Sequence, residues 1–147
     1  MAAGGVQVTD DLRNFPGLTD REILAKTLWG EARGEGRVGM HAVANVILNR
    51  ARKPGWWGTN IREVCLKRRQ FSCWNPDDPN RKKMLAVTDE DPSYRVAVEL
   101  ADMAIQGVLE DITRGADHYH TKTIKPYWAK AEKPIAEWGN HLFYGEV

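Results

Sequence analysis

Residues 18–36, LTDREILAKTLWGEARGEG, form the stretch around which the chain is organised. Thr19 and Glu22 have the spacing of a capping box. Leu18 and Ile23 flank that pair at the spacing of a hydrophobic staple, so the sequence predicts that a helix begins here.

Glu31 ends the apolar stripe of this helix. Leu24, Leu28 and Glu31 stand at i, i+4 and i+7, so the carboxylate lies on the face that we expect to meet the core. Gly30 and Gly34 let another backbone or a ligand approach. Burial between a core and a cleft disfavours a charged carboxylate and raises its pKa, which is how a general acid is made. On this pattern alone, the alternative is that Glu31 turns outward where the helix frays.

Length and composition predict one ordinary domain. The chain has 147 residues, of which 42% are hydrophobic, and this is enough to bury a core. We expect an extended amino-terminal segment over residues 1–17, where glycine and proline break regular structure, and a single domain over residues 18–147.

The net charge is small, but the charged residues are distributed unevenly along the chain. The net charge of +1 provides no whole-chain argument for binding nucleic acid or an acidic membrane. Basic residues concentrate between Arg50 and Lys83, and this segment either meets an anionic surface or forms a solvated face. No segment is apolar for long enough to insert stably in a membrane, and the residues from Met1 onward lack the pattern of a signal peptide.

Hydrophobic spacing predicts two further long helices. One runs over residues 37–52 and should be central and largely buried. The other begins at Asp91, an N-cap followed by a first-turn proline, and its buried stripe extends to Val108. A short helix is predicted over residues 60–66, and residues 77–81 have the composition of a turn.

Beyond Gly115 the sequence no longer has helical spacing and instead favours strands. Residues 117–121 and 141–144 have strand-like propensity, and prolines and glycines break the segment between them. We expect these strands to form a small antiparallel sheet at one side of the helices. The predicted fold class is α+β and mostly helical.

Cys65 and Cys73 are the only cysteines in the sequence. Two thiols at this spacing either bridge a loop in an oxidising compartment or remain reduced. The sequence leaves both options open.

Aromatic residues in loops provide the first indication of a ligand. Trp56 and Trp57 stand between glycines, and adjacent tryptophans cannot both face one core, so at least one should line a surface or groove. Flat aromatic faces beside short polar side chains suit a groove that holds sugar rings. Some of the aromatic residues must instead fill the core.

The histidines allow a different chemistry. His118 and His120 alternate on one face if their segment is a strand, and His141 lies in the next predicted strand. Together they would suit a zinc-dependent amidase or endopeptidase. This signal is weak, because H-x-H alone is common and no helical H-E-x-x-H is present.

Five blocks of sequence, taken in order, resemble the SleB-type cell-wall hydrolases, a family that includes spore-cortex-lytic enzymes and phage lysins. The blocks are WGEARGEG at 29–36, VILNR at 46–50, QFS at 70–72, ADHYH at 116–120 and GNHLFY at 139–144. Several blocks that agree at once are much more specific than any one of them.

The resemblance implies a lysozyme-like helical fold, peptidoglycan glycan strands as substrate and lytic transglycosylase activity. The catalytic glutamate of the family falls on Glu31, and no cofactor or metal is implied. A wider set of side chains in and beside the blocks is expected to bind substrate: Glu35, Gln70, Phe71, Ser72, Trp74, Tyr119, His120, Trp128, His141 and Tyr144. Glu35 is also expected to hold the glycine-rich turn. His120 departs from the aromatic residue that many relatives carry.

With Glu31 as the single acid and base, the expected product is a muropeptide that ends in 1,6-anhydro-N-acetylmuramic acid. The alternatives are hydrolysis by water with Asp117 or Glu35 as a second carboxylate, a zinc-dependent peptidoglycan amidase or endopeptidase, and a module that only binds wall glycan. The sequence lacks the wall-binding repeat of spore enzymes, which favours a monomeric phage lysin (endolysin). Such a lysin is made in the host cytoplasm and acts on the bacterial cell wall in the periplasm.

Overall fold

The computed structural model describes residues 15–53, 55–67, 70–124, 126–129 and 132–145, so most of the predicted amino-terminal segment lies outside the described residues. The helices are α1 (Asp20–Ala32), α2 (Gly36–Ala51), α3 (Ile61–Leu66), α4 (Asn80–Ala86) and α5 (Pro92–Gln106). The strands are β1 (His118–Thr121), β2 (Ala136–Trp138) and β3 (His141–Tyr144). Short 3-10 turns occupy Arg33–Glu35, Ser72–Trp74 and Tyr127–Ala129. The predicted α+β, mostly helical fold is confirmed.

The capping box at the start of α1 is confirmed. The hydroxyl of Thr19 accepts a hydrogen bond from the backbone N–H of Glu22 at 3.1 Å, and the Glu22 carboxylate accepts one from the backbone N–H of Thr19 at 2.9 Å. These bonds satisfy two of the N–H groups that the first turn of a helix leaves without partners. They also hold the pKa of Glu22 below its ordinary value.

Helix α2 is central, as predicted, because it is buried on two sides. Met40, Val43 and Ile47 join the main core with α1 and α5. Ala42 and Val46 lie on the other side and pack against the sheet in a second cluster that includes Phe143 and Ala116. The helix therefore separates the helical layer from the sheet and fixes their spacing.

The sheet has the order β1-β3-β2 with both pairings antiparallel. His118 pairs with Tyr144 and Thr121 pairs with His141. The predicted small antiparallel sheet is confirmed, although β2 was not predicted, because it is short and lies between Pro134 and Gly139. Strand β1 stands at one edge, with β3 as its neighbour within the described residues.

Two sequence predictions about the helices are wrong. Residues 77–81 form a turn only in part, because α4 begins at Asn80, where Asp78 accepts a hydrogen bond from the Asn80 backbone N–H at 2.8 Å. Val108 does not extend the buried stripe of α5 and is 62% exposed. The helix ends before it, at the left-handed Gly107 with φ 77°.

The far end of α4 is held by a buried lysine. Lys26 of α1 is 4% exposed, and its ammonium group donates to the backbone carbonyls of Met84, Leu85 and Val87 at 3.2 to 3.4 Å. A cation is favoured where a helix ends with carbonyls that lack partners. None of the described helices combines the length and the apolar character that crossing a membrane requires.

Candidate active site

Glu31 lies at the end of α1 with its carboxylate turned inward. The hydroxyl of Tyr119 donates a hydrogen bond to Glu31 Oε1 at 3.0 Å. The thiol and the backbone N–H of Cys73 also donate to this carboxylate. The predicted inward orientation is therefore the one adopted, and the alternative of an outward-turned glutamate is wrong.

Gly30 explains how the Cys73 turn comes so close to α1. A Cβ atom added at Gly30 would lie 2.9 Å from Cys73 Cβ and 3.0 Å from Cys73 Sγ, which is closer than packed atoms come. The absence of a side chain at position 30 thus lets the Ser72–Trp74 turn rest against the helix. This contact places the Cys73 donors on the neighbouring carboxylate.

Burial raises the pKa of Glu31 above its ordinary value. The hydrogen bonds from Tyr119 and Cys73 oppose this rise in part, and the negative charge of Asp78 adds to it. The same burial, together with the charge of Glu31, raises the pKa values of Tyr119 and Cys73, so both groups stay protonated and donate. A carboxyl group whose pKa is raised keeps its proton to higher pH than an ordinary glutamate, as a general acid requires.

Arg50 is a buried cation of this site that the sequence predictions missed. Its side chain donates from Nε to the carbonyl of Asp117 at 2.7 Å and from Nη1 to Gln70 Oε1 at 3.1 Å. Desolvation lowers its pKa, and the nearby Tyr119, Asp117 and Glu31 act in the opposite direction. The sequence signal was its place at the end of the buried stripe of α2. Arg50 is 7% exposed, so it does not belong to a solvated basic face.

The side chain of Asp117 is fully buried, with 0% of it exposed. Its carboxylate accepts from Lys53 Nζ at 2.5 Å and from His118 Nδ1 at 2.8 Å. Asp117 was expected as one possible second carboxylate beside Glu31. Its two oxygens are instead taken by Lys53 and His118.

Glu35 holds a turn, although not the glycine-rich turn that was expected. Its Oε1 accepts from the backbone N–H of Asn140 at 2.6 Å, in the connection between β2 and β3. Gly139 has φ 58°, and a Cβ atom there would collide with the Glu35 carboxylate. The predicted substrate contact at Glu35 therefore becomes a link between the α1–α2 junction and the sheet.

Several predicted substrate-binding side chains are instead buried in the core. Trp74 is 0% exposed and donates from its indole nitrogen to Thr27 Oγ1 at 2.8 Å, and Phe71 is 1% exposed. Tyr144 is 2% exposed, and His141 is 4% exposed with its ring edge-on to Tyr119 at 5.1 Å. They leave almost no surface for a sugar. His141 supports the ring of Tyr119 from within.

His120 has internal partners for both ring nitrogens. Nδ1 lies 2.7 Å from the carbonyl of Thr121, and Nε2 lies 2.8 Å from the hydroxyl of Tyr144. Because the carbonyl can only accept, Nδ1 donates to it and Nε2 accepts from the Tyr144 hydroxyl. The expected contact from His120 to substrate is replaced by these bonds.

The remaining predicted residues stay accessible. Ser72 is exposed, while Gln70 and Trp128 are partly buried. The prediction that one of the paired tryptophans reaches the surface is confirmed, since Trp56 is 68% exposed. Tyr127 is 83% exposed next to Trp128, and no sequence block pointed to it.

The histidines do not converge as a zinc site would require. His118 and His120 both contact Trp128 from one face of β1, as predicted, whereas His141 packs against Tyr119 on the other face. No group of three or more His, Cys, Asp or Glu side chains is arranged to hold a metal ion within the described ranges. His118, His120 and His141 therefore do not form the three-histidine site on which the zinc-dependent alternative was based.

Both cysteines are free thiols in the core. Cys65 and Cys73 are buried and unbridged. Burial raises the pKa of Cys65 to about 12, so this thiol stays protonated at neutral pH. The sequence allowed either a disulfide bridge or two reduced thiols, and the structure has two reduced thiols.

Residues 34–144 match the family described as Cell Wall Hydrolase. The chain belongs to the cell wall hydrolase family. This cell wall hydrolase is 37% identical over 133 residues to a spore cortex-lytic enzyme of Halalkalibacterium halodurans, an alignment that covers 84% of the chain and 34% of that relative. It thus spans about a third of the length of the curated relative.

Two solved structures share the fold of this cell wall hydrolase. The catalytic domain of the germination-specific lytic transglycosylase SleB from Bacillus anthracis has a TM-score of 0.66 and 27% identity, over 87% of this chain and 97% of that domain. The catalytic domain of the Bacillus cereus SleB protein has a TM-score of 0.62 and 23% identity, over 84% and 88%, and supports the fold alone. The predicted SleB-type family and lysozyme-like fold are confirmed.

Proposed function

We propose that this chain cleaves the glycan strands of peptidoglycan as a lytic transglycosylase, with Glu31 as the acid and then the base. The observation that carries the proposal is the enclosed Glu31 carboxyl group, whose pKa is raised by burial while Tyr119 and Cys73 hold it in one orientation. The family match begins at residue 34, so the role of Glu31 is argued from its surroundings. The relative from Bacillus anthracis is named a lytic transglycosylase, which supports the same reaction class.

The first step is proton donation. Glu31 delivers its proton to the glycosidic oxygen between N-acetylmuramic acid and N-acetylglucosamine, and the bond from that oxygen to the muramic anomeric carbon breaks. N-acetylglucosamine leaves with a hydroxyl group. The resulting Glu31 carboxylate keeps its hydrogen bond from Tyr119, and the buried cation of Arg50 lies nearby.

The second step closes a ring. The muramic C6 hydroxyl attacks its own anomeric carbon and transfers its proton to Glu31, which returns to its starting state. The product ends in 1,6-anhydro-N-acetylmuramic acid, and no water is consumed. A single group that acts first as acid and then as base is sufficient for this sequence.

The carboxylates expected from the sequence do not favour the hydrolytic alternative. A glycosidase that uses water generally needs a second carboxylate across the scissile bond. Asp117 is bonded to Lys53 and His118, and Glu35 is bonded to the Asn140 backbone. Asp78 is the acidic residue whose charge acts on Glu31, but its carboxylate caps the start of α4.

Mass spectrometry of the soluble products from purified peptidoglycan tests the proposal. Each anhydro product is lighter by one water than the matching hydrolysis product, and its closed muramic end resists reduction by borohydride. The Glu31→Gln variant serves as the matched control and should release neither product. Reducible muramic ends would instead make water the nucleophile, and Asp78→Asn would then be the first variant to examine.

A phage-lysin role stays a prediction, because the relatives are named for spore cortex and germination. The same holds for a monomer that passes from host cytoplasm to cell wall. Digestion rates on wall peptidoglycan from growing cells and on spore cortex, measured side by side, separate the two roles. A phage lysin should be faster on the wall of growing cells.

A further inference from the structure

A second polar cluster lies on the face of β1 that points away from Glu31. Consecutive residues of a strand project to opposite faces. Accordingly, Tyr119 bonds to Glu31, whereas the ring of His118 contacts the rings of Trp57 and Trp128. The ring centroid of His118 is 5.6 Å from that of Trp57 and 4.9 Å from that of Trp128.

Asp117 fixes the orientation of the His118 ring. The buried carboxylate accepts from His118 Nδ1 at 2.8 Å through one oxygen and from Lys53 Nζ at 2.5 Å through the other. An ionised carboxylate can only accept, so Nδ1 must carry the hydrogen. In the neutral imidazole this leaves Nε2 as an acceptor of fixed direction.

The Nε2 atom of His118 is available to a ligand. Within the part of the chain that the structure describes, no protein group forms a hydrogen bond with it, and 20% of the His118 side chain is exposed. His120, two positions along on the same face, differs because both of its nitrogens have partners. The sheet thus presents one histidine whose two ring nitrogens both have partners and one whose Nε2 acceptor lies beside two tryptophan rings.

We propose that His118, oriented by Asp117, binds the glycan by accepting a hydrogen bond at Nε2 from a hydroxyl or amide N–H of a sugar ring that lies against Trp57 and Trp128. This inference rests on the proposed function, because the ligand is the same glycan strand. Aromatic faces contact the apolar C–H surface of a sugar, and the ring nitrogen meets its polar edge. His118 faces away from Glu31, so its role is binding and not proton transfer at the scissile bond.

Affinity in an inactive background tests the proposal. The probe is peptide-free glycan strands, titrated by calorimetry into the full chain carrying Glu31→Gln. Adding His118→Phe keeps a flat ring between the tryptophans but removes the acceptor, and the dissociation constant should rise about three- to tenfold. The matched control is His41→Gln in the same background. His41 bonds the Glu110 backbone carbonyl at 2.7 Å, outside this cluster, and its replacement should leave affinity unchanged.

Nitrogen NMR of the histidine rings gives a readout that does not depend on the variant folding. In the free Glu31→Gln protein, His118 should show the tautomer with hydrogen on Nδ1. Saturation with glycan should move the Nε2 resonance of His118. A resonance that stays fixed at saturation, no measurable glycan binding, or unchanged affinity in a folded His118→Phe variant would each overturn the proposal.

The two proposals fail separately. If the native enzyme releases anhydro products but the Nε2 resonance of His118 does not shift when glycan is added, only the proposed role of His118 is wrong. If the native enzyme releases no glycan product, the proposed function itself is wrong.

Discussion

The two faces of β1 show how neighbouring residues take on opposite tasks. Tyr119 faces inward and reaches Glu31, in surroundings where the polar groups have hydrogen bonds and the carboxylate is desolvated. His118 faces the other way, contacts two tryptophan rings, and keeps its Nε2 atom without a protein partner within the described residues. A single step along the strand therefore separates the side chain that bonds to Glu31 from one whose Nε2 atom has no protein partner within the described residues.

This difference follows from what each task requires. Raising the pKa of a carboxyl group requires removal of water and tight control of its remaining hydrogen bonds. Binding a sugar requires polar groups that are oriented in advance but still free to bond. Substitutions on the Tyr119 face of β1 should therefore alter turnover, and substitutions on the His118 face should alter affinity for the glycan.

The largest effect is expected for Glu31→Gln. The amide keeps the shape of the side chain but cannot deliver a proton, so turnover should fall about a hundredfold to ten-thousandfold. Release of soluble product from purified peptidoglycan measures the loss, and thermal unfolding checks that the fold persists. A variant that keeps a tenth of the native turnover would remove Glu31 from its assigned role.

Tyr119→Phe should have the next largest effect. The hydroxyl of Tyr119 opposes the rise in the Glu31 pKa, so its loss lets that pKa rise further. The acid then stays protonated to higher pH but donates less readily, and turnover should fall about tenfold. The alkaline limb of the kcat/KM profile should move to higher pH. A shift to lower pH contradicts the assigned hydrogen bond.

Glu35→Gln should reduce turnover by less than about threefold, because an amide oxygen can still accept from the Asn140 N–H. Glu35→Ala removes that acceptor and should lower the free energy of unfolding by about 1 kcal/mol. Turnover and urea unfolding, measured for both variants, separate the two effects. A loss at Glu35→Gln as large as that at Glu31→Gln would mean that Glu35 takes part in the chemistry.

The smallest effect on turnover is expected for His141→Gln, because His141 affects the stability of the fold and its pH dependence. Burial lowers its pKa below the ordinary 6.5, so the unfolded chain binds this proton more readily than the folded protein. The stabilisation of the folded protein by neutral His141 is fully present above pH 6.5. It is lost as pH falls toward the folded pKa, and the free energy of unfolding then drops by at most about 1.4 kcal/mol per pH unit. Urea unfolding of native protein and of His141→Gln between pH 5 and 8 measures it. Parallel curves for the two proteins would exclude this linkage.

The sequence predicted much of the fold because those features depend on short-range spacing. The cap at Thr19, the proline after Asp91 and the strand propensity around Tyr119 are local patterns with local causes. Helix α4 was missed since its first residues, Asn80 and Arg81, are polar and turn-like, and the Lys26 contacts at its far end come from another part of the chain. Strand β2 was missed because it is three residues long.

The sequence by itself determined that Glu31 ends an apolar helical stripe, that a small sheet follows the helices, and which family the blocks resemble. Only the tertiary structure decided which side chains contact each other. Tyr119 donates a hydrogen bond to Glu31, 88 positions away in sequence, and Asp117 pairs with Lys53 and His118. Trp74 is buried in the core. Caps and periodicity act between residues a few positions apart, so a sequence displays them directly. Long-range partners are chosen by how all the helices and strands pack at once, and no short window of sequence contains that information.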